Sequence, residues 1–563
     1  MSLTFIFLTQ RGKQILMSIL IGFFVGGSIL ILFKVYETFS YLTSILFSIN
    51  RLTVILTVCI GLTLSYLVVS RIAVTKSYGC GTDDVIGSYH YHSGFLHLRD
   101  TLSKTFAAAL TIGFGGSAGL EGPSIMLGGG LSSYLTQKLN LKPEEIRVFM
   151  LAGAAAGLAA IFKAPLTGIL FALEIPYKRD LVKEAFIPAS IASITSYLTY
   201  IFVMGSETLF PFIPSIMIPS PLDILYTVVV GLLAAVVSLG FVNFFKFMGR
   251  LRRTTKLNVL FYPLIGGVIV GVLGLLFPQI LGLGYQTIHD SVTGKLSSLP
   301  IIIVVLILIL KIVATSITLN FGGSGGLFIP SIYVGAVLGV IYVSLLNLSQ
   351  GEVYIMASTA ALMAASSKTL LTSVAFVAET CGPSSIIPTL IAACVSFFAS
   401  GWTSFYENQL MNRPEEEEEA LGEVYHLFEE RGIKATHIKA KDVMTPNPVT
   451  IHEGLKIKDA IRVMREHRFR EYPIVDDNQR IVGYVEIEDL LTIPMRRWST
   501  PVNQAIIHTP LMVLGDEDLL TVIKKMVETG EDHAYVVEDY ESYRLIGVIA
   551  GIDAIKKILE IIG

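Results

Sequence analysis

Residues 115–125 read GGSAGLEGPSI and residues 322–332 read GGSGGLFIPSI. The phrases lie 207 positions apart and agree at glycine, glycine, serine, glycine, leucine, proline, serine and isoleucine. Further along each copy stands a second matching pair, LAGAAAGLAAIFKAPLTGILFALE (151–174) and MASTAALMAASSKTLLTSVAFVAE (356–379). At an offset of 205 these share Ala152/Ala357, Ala159/Ala364, Lys163/Lys368, Thr167/Thr372, Phe171/Phe376 and Glu174/Glu379. The chain therefore contains an internal duplication, and its two halves must follow one structural plan.

The duplicated region is oily. Of 563 residues, 52% are hydrophobic and 15% charged, too apolar for a soluble protein of this length. From about Ile15 to Trp402 apolar runs dominate, as in ILMSILIGFFVGGSILILF, LTVILTVCIGLTLSYLVV and IIIVVLILILKIVATSITL. Several reach the roughly 20 residues that span a bilayer. Others, including those after Pro123 and Pro330, read as about 10–16 residues broken by Gly or Pro. Such helices stop inside the membrane only where protein or a water-filled cavity covers their ends. Duplicated membrane halves with broken helices mark transporter-like folds that bind substrate near the midplane between repeats. Whether the repeats are inverted depends on the number of helices between them, which the sequence leaves open. The opening MSLTFIFLTQRGKQ does not read as a secretory signal, because the apolar stretch after it is too long and no small-residue cleavage site follows. A net charge of −3 gives no bulk electrostatic case for nucleic acid.

The phrase carries its own physics. Flexible small residues precede a Pro-Ser-Ile that opens an apolar helix, and proline suits a first helical turn because its missing N–H costs nothing there. Glycines let bare backbone N–H groups approach a ligand. A helix N-terminus in low dielectric carries about half a positive charge and several free donors, so two facing N-termini make a site for an anion. Packing alone accounts for glycines in GAAAGLAA, but less well for a repeated glycine-proline phrase. Glu121, present in one copy only, would be drawn to that site and compete with substrate until protonated, while Phe328 in the other copy leaves its backbone N–H free to bind. An intramembrane glutamate is a functional hypothesis by default. Glu174 and Glu379 end apolar helices near basic loops and read as structural, capping or pairing.

After Phe405 the character changes. The expected division is a transmembrane domain over 1–411, a charged and partly helical linker over 412–435 whose run Glu415 to Glu419 reads as a solvated tether, and two similar soluble units over 436–497 and 498–563. The first unit reads as a short strand, an amphipathic helix (455–467), the strand YPIVD, a turn at DDNQ, the strand IVGYVEI and a helix; the second repeats that order. The segment 205–223 has no Lys or Arg while KFMGRLRRTTK (246–256) is rich in both, so the basic loop and the soluble units are expected in the cytoplasm. Cys59, Cys381 and Cys394 read as buried apolar residues without metal or disulfide spacing. His90, His92 and His97 read as a surface loop rather than a metal site, and no metal is expected. Lys163 and Lys368 are expected either to enrich anions at the inner mouth or to snorkel to headgroups.

These residues resemble the CLC family of chloride channels and proton-coupled chloride antiporters over nearly the whole chain. GLEGP (119–123) is similar to the family's G(K/R)EGP, GLFIP (326–330) to its GxFxP, GCGTD (79–83) to its GSGIP, and SFYEN (404–408) to the segment bearing the tyrosine on the inner side of the site. The tail resembles a CBS-domain pair. The resemblance implies an all-α, multi-pass membrane domain of two repeats followed by an α/β CBS pair. It also implies a homodimer in the bilayer, not an enzyme, with one anion pathway per subunit and no required cofactor. Chloride or a similar monovalent anion is the implied substrate, Glu121 the gate, and Cys80, Gly119, Leu327, Phe328 and Tyr406 the anion site.

Departures from the family pattern matter. Cys80 replaces serine, and a thiol donates a weaker hydrogen bond than a hydroxyl. Asp83 stands where proline is expected, and Leu120 replaces a basic residue. Ile175 occupies the position of the glutamate that relays protons in many antiporters, which favours channel-like, uncoupled conduction; proton-coupled exchange by another route is the alternative, and a CBS-bearing divalent-cation channel a remote one. Asp489 and Asp553 match the CBS carboxylate that holds a nucleotide ribose. Glu486 and Ala550 replace the usual Ser/Thr three residues earlier, so an adenine nucleotide stands against a merely structural pair.

Overall fold

A computed structural model describes residues 10–562 except 76–78, 208–209, 211–219, 256–257, 383–384, 414–420, 423–437, 468, 470, 487–488, 491–492, 494–496 and 506. Most of the expected linker, its acidic run and most of the proline-rich 205–223 segment lie outside the described residues. The chain divides into two compact units, Met1–Arg413 and Pro414–Gly563.

The first unit is helical: α1 (Gln10–Ile49), α2 (Thr53–Ile72), α3 (Gly81–Tyr91), α4 (Leu98–Gly113), α5 (Glu121–Lys138), α6 (Pro143–Phe162), α7 (Pro165–Glu174), α8 (Phe186–Met204), α9 (Pro221–Thr254), α10 (Phe261–Leu276), α11 (Tyr285–Val292), α12 (Ile301–Asn320), α13 (Phe328–Leu346), α14 (Gly351–Ser367), α15 (Leu370–Cys381) and α16 (Ile386–Ala399). Among the described residues seven helical segments are long and apolar enough to cross a membrane, and four shorter apolar helices accompany them. A run such as IIIVVLILILKIVATSITLN is rich in β-branched residues, yet it is helical as α12. Lipid offers backbone groups no partners, so a single spanning segment must satisfy its own. The helices after Pro123 and Pro330 are longer than their apolar runs indicated, at 18 and 19 residues. What is unusual is their buried N-termini, Glu121 and Phe328. The basic stretch 246–256 is not a loop but largely the C-terminal end of α9.

The two halves meet through reciprocal bonds. The Gly119 N–H donates to the Gly326 carbonyl at 3.0 Å, and the Gly326 N–H returns a bond to Gly119 at 2.8 Å. The Ser117 N–H donates to Thr318 Oγ1 and the Ser324 N–H to Thr111 Oγ1, at 3.2 and 3.0 Å. Glu174, at the C-terminus of α7, accepts from the Leu371 and Thr372 N–H groups and the Thr372 hydroxyl at 2.6–2.8 Å. Glu379, near the C-terminus of α15, accepts from Leu166 and Thr167 in the same way at 2.7–2.8 Å. Each carboxylate thus caps the other half's equivalent helix, satisfying otherwise orphaned donors. Helices that cap each other head to tail run antiparallel, so the repeats are inverted.

That inversion corrects the reading of Lys163 and Lys368 at one mouth. Both end their helices in the left-handed conformation, with φ of 53° and 57°, but they precede antiparallel helices and lie at opposite ends, ~15 Å apart at 1.5 Å per residue. Lys163 Nζ bonds the Glu207 carbonyl. Lys368 does not snorkel: it is buried, and its Nζ bonds the Phe397 carbonyl and the Ser400 hydroxyl. GAAAGLAA does what packing demands. A Cβ at Gly128, Gly153 or Gly157 would strike backbone across the α5–α6 contact.

In the second unit each half follows one plan, strand–helix–strand–strand. The first half has β2 (Ile451–His452), α18 (Ile457–His467), β3 (Glu471–Val475) and β4 (Ile481–Glu486); α17 (Ala440–Val443) and β1 (Thr445–Pro446) precede it. The second has β5 (Met512–Leu514), α19 (Leu519–Thr529), β6 (His533–Val537), β7 (Leu545–Ala550) and α20 (Gly551–Ile562). The sheets are ordered β2-β3-β4 and β1-β7-β6-β5. β2 and β5 pair in parallel with β3 and β6, and β3–β4 and β6–β7 are antiparallel. The halves exchange edges: β1 pairs with β7, and His508 bridges Tyr484 of β4.

Candidate functional site

Three helix N-termini meet where the duplicated phrases touch. The Gly119–Gly326 bridge brings the starts of α5 and α13 together, and a parallel bridge between Gly79 and Ser324 brings in the start of α3. The Gly325 N–H donates to the Gly79 carbonyl at 3.3 Å. The structure thus gathers GCGTD, GLEGP and GLFIP, three motifs far apart in the chain. Three N-termini contribute positive dipole ends and unmade N–H groups to one buried place.

Glu121 lies at this junction, 1% exposed. Its Oε1 accepts the Phe328 N–H at 2.6 Å, so that donor is not free as expected but holds the carboxylate. Oε2 is buried and, among the described residues, has no hydrogen-bond partner. A Cβ at Gly119 or Gly326 would collide with the carboxylate. These glycines therefore serve close approach: the acid lies flat against both phrases. Leu327 stands at the N-cap position of α13, and the Phe328 ring packs among Phe162, Phe171 and Phe376.

Cys80 sits at the N-cap of α3 in extended conformation, within van der Waals reach of the position a Cβ on Gly122 would take. Tyr406 is 3% exposed, and its N–H donates to Ser404 Oγ. The residue that replaces proline has a structural partner. Asp83 Oδ1 accepts the Asn408 N–H at 3.1 Å and Oδ2 accepts Asn408 Nδ2 at 3.0 Å; the same amide donates to the Asp83 carbonyl at 3.1 Å. This pairing was not legible in the sequence, because a lone Asp and a lone Asn over 300 residues apart give no local signal.

Two buried lysines were also missed. Lys104 and Lys311 occupy equivalent places, 207 positions apart, so the repeat offset itself was the available signal. Lys104 pairs with Asp84 at 2.8 Å. Lys311 donates to the Ile280 and Gly282 carbonyls at 3.1 and 3.0 Å and lies over the Tyr333 ring. Ile175 follows α7, is 1% exposed and belongs to the apolar core.

Other expectations fall elsewhere. His90 is not on a surface loop; it lies buried in α3 with Nε2 2.8 Å from the Pro176 carbonyl. Cys381 is buried, but Cys59 and Cys394 are only partly so, as membrane-facing positions allow. In the second unit Asp489 Oδ2 lies 2.9 Å from His508 Nε2 and accepts the Glu486 N–H at 3.2 Å. Asp553 stands in the first turn of α20.

With this geometry in view, comparisons with known proteins give one answer. The family described as voltage gated chloride channel matches residues 60–401, and the CBS domain matches 440–496 and 502–560. The voltage-gated ClC-type chloride channel ClcB of Shigella flexneri is 27% identical over 302 residues, 52% of this chain and 71% of that one. The solved structure of a CLC-type fluoride/proton antiporter matches with a TM-score of 0.63 and 24% identity, over 72% of this chain and 100% of that one. A eukaryotic CLC transporter matches with a TM-score of 0.62 and 18% identity, over 96% and 98%. Together with the two helical repeats and the terminal pair of α/β units, these matches establish that the chain belongs to the voltage gated chloride channel family, membrane proteins that move anions, and carries two CBS domains.

Proposed function

We propose that this protein passes chloride, or a similar monovalent anion, through a pathway in each subunit of a homodimer, with Glu121 as its gate. One observation carries the reading: the Glu121 carboxylate takes the Phe328 amide at a junction of three helix N-termini. A carboxylate on that donor occupies the place of a permeant anion, and its departure would free the amide. Gly119, Leu327, Phe328, Cys80 and Tyr406 are the proposed lining. Ile175 favours channel-like conduction, since an isoleucine in an apolar core carries no proton. Proton-coupled exchange is the second reading, favoured by the partnerless Oε2 of Glu121, a buried oxygen that protonation would relieve. The CBS pair is proposed to be cytoplasmic. An adenine nucleotide there would have to draw Asp489 away from His508, while Asp553 is the alternative carboxylate.

The test is chloride efflux from liposomes containing purified protein, with proton movement recorded simultaneously. Channel-like conduction predicts efflux without proton countermovement; proton pumping driven by a chloride gradient would overturn it. Glu121→Gln is expected to keep anion flux and abolish its pH dependence, and loss of all flux would count against the gate assignment.

A further inference from the structure

The Asp83–Asn408 pairing joins the start of α3 to the segment that bears Tyr406. Asp83 lies three residues after Cys80, at the start of α3, and Asn408 two residues after Tyr406. Three hydrogen bonds of 3.0–3.1 Å connect them, two to the carboxylate and one to the Asp83 carbonyl. Two donors on one residue, the Asn408 backbone N–H and its side-chain amide, fix orientation as well as distance. The neighbouring turn of α3 is shaped for this contact: a Cβ at Gly87 would come within 3.0 Å of Asn408 Nδ2. The tyrosine segment has further anchors on both sides of Tyr406. Ser404 Oγ donates to Gln409 Oε1 at 2.8 Å, Gln409 Nε2 donates to the Tyr177 and Ser367 carbonyls, and the Phe405 N–H donates to Ser366. Tyr406 therefore rides on a short segment pinned to the α7 and α14 ends on one side and to α3 on the other.

We propose that Asp83 and Asn408 form a latch that sets the separation of Cys80 and Tyr406, making both positioning residues for anion selection. This deepens the anion-pathway reading and rests on it. A proline at position 83 would keep the carbonyl acceptor but offer no carboxylate, so a latch with two bonds to a carboxylate belongs to this chain's own pattern. Its function is to hold the inner lining at one width: with the latch open, the tyrosine segment keeps its Gln409 anchor but loses its register against Cys80.

The test uses full-length protein in liposomes, in a Cys59→Ser/Cys381→Ser/Cys394→Ser background that leaves Cys80 as the one thiol. Two quantities are read: the rate of Cys80 modification by a small methanethiosulfonate reagent, and the chloride-to-nitrate flux ratio. Asp83→Ala and Asn408→Ala are each expected to change both by about fivefold, the scale of a lost hydrogen bond. The double variant should be worse than either single one but by less than their sum, because only the Asn408 Nδ2–Asp83 Oδ2 bond is lost in both single variants. Asp83→Asn/Asn408→Asp, which retains a donor–acceptor pair, should recover part of the change. Additive effects, or single variants indistinguishable from the parent, would overturn the latch. Should Asp83→Ala not yield monodisperse protein, Asn408→Ala and Gly87→Ala, which crowds the same amide, give the same readouts. Tyr406→Ala separates the two levels. If it shifts the flux ratio while the latch variants do not, the latch alone fails; if it shifts nothing, the pathway reading fails and takes the latch with it.

Discussion

One residue of the proposed anion lining carries a thiol. Cys80 stands at the N-cap of α3, where a serine would present a hydroxyl. A net hydrogen bond contributes about 0.5–1.5 kcal/mol, and the thiol supplies less of it. Cys80→Ser is therefore expected to raise chloride preference over nitrate by about two- to tenfold, checked by paired flux measurements. An unchanged ratio would remove Cys80 from the lining. Glu121 makes the complementary point. The sequence marked it as an intramembrane acid in one repeat, but not that Gly119 and Gly326 clear the space in which its carboxylate lies. Nor did it show that the Phe328 amide is the group it holds.

At the scale of elements, the reciprocal caps bind the two halves. Glu174 and Glu379 each accept three bonds from the far half's helix start. Removing either leaves buried donors unmade. Glu174→Ala and Glu379→Ala are each expected to cost about 2 kcal/mol or more. The caps lie at opposite ends of the α7–α15 pair and share no partner, so the double variant should show the sum of the single effects. Thermal unfolding in detergent measures this, and a double variant no worse than one single would mean the caps act as one unit. The sequence made these glutamates legible as capping or pairing groups through their place at the ends of apolar helices. It did not reveal which helices they cap, since the donors are some 200 residues away.

For the whole molecule, the two units respond to different variables. The second has its own hydrophobic cores and titratable groups outside the membrane. Burial opposes ionisation of Glu517, but the Lys525 ammonium at 2.6 Å, the Leu514 N–H and the Tyr540 hydroxyl outweigh it and hold the carboxyl below its usual range. An acid depressed in the folded state stabilises above its unfolded value, near 4.3, and that contribution is lost as pH falls through the folded value. Glu517→Gln is expected to cost the CBS unit roughly 1 kcal/mol or less at neutral pH, given partial exposure. It should also make the unit's stability less sensitive to acid below pH about 4. Following the full chain by the unfolding of this unit at pH 3.5 and 7 checks both, and an unaltered acid sensitivity would refute the assignment.

The sequence by itself determined the duplication, the membrane and the strand–helix–strand–strand plan of the tail, because each is written in local composition or in a repeat offset. It also singled out GCGTD, GLEGP and GLFIP, the motifs that the fold brings together. Only the tertiary structure decided that the repeats are inverted, that Lys163 and Lys368 face opposite ends, that His90 is buried, and that Asp83 grips Asn408. The physical reason is common to all four. Hydrogen-bond partners are chosen by packing, and in this fold the decisive partners come from distant parts of the chain, where periodicity and propensity carry no information about who meets whom.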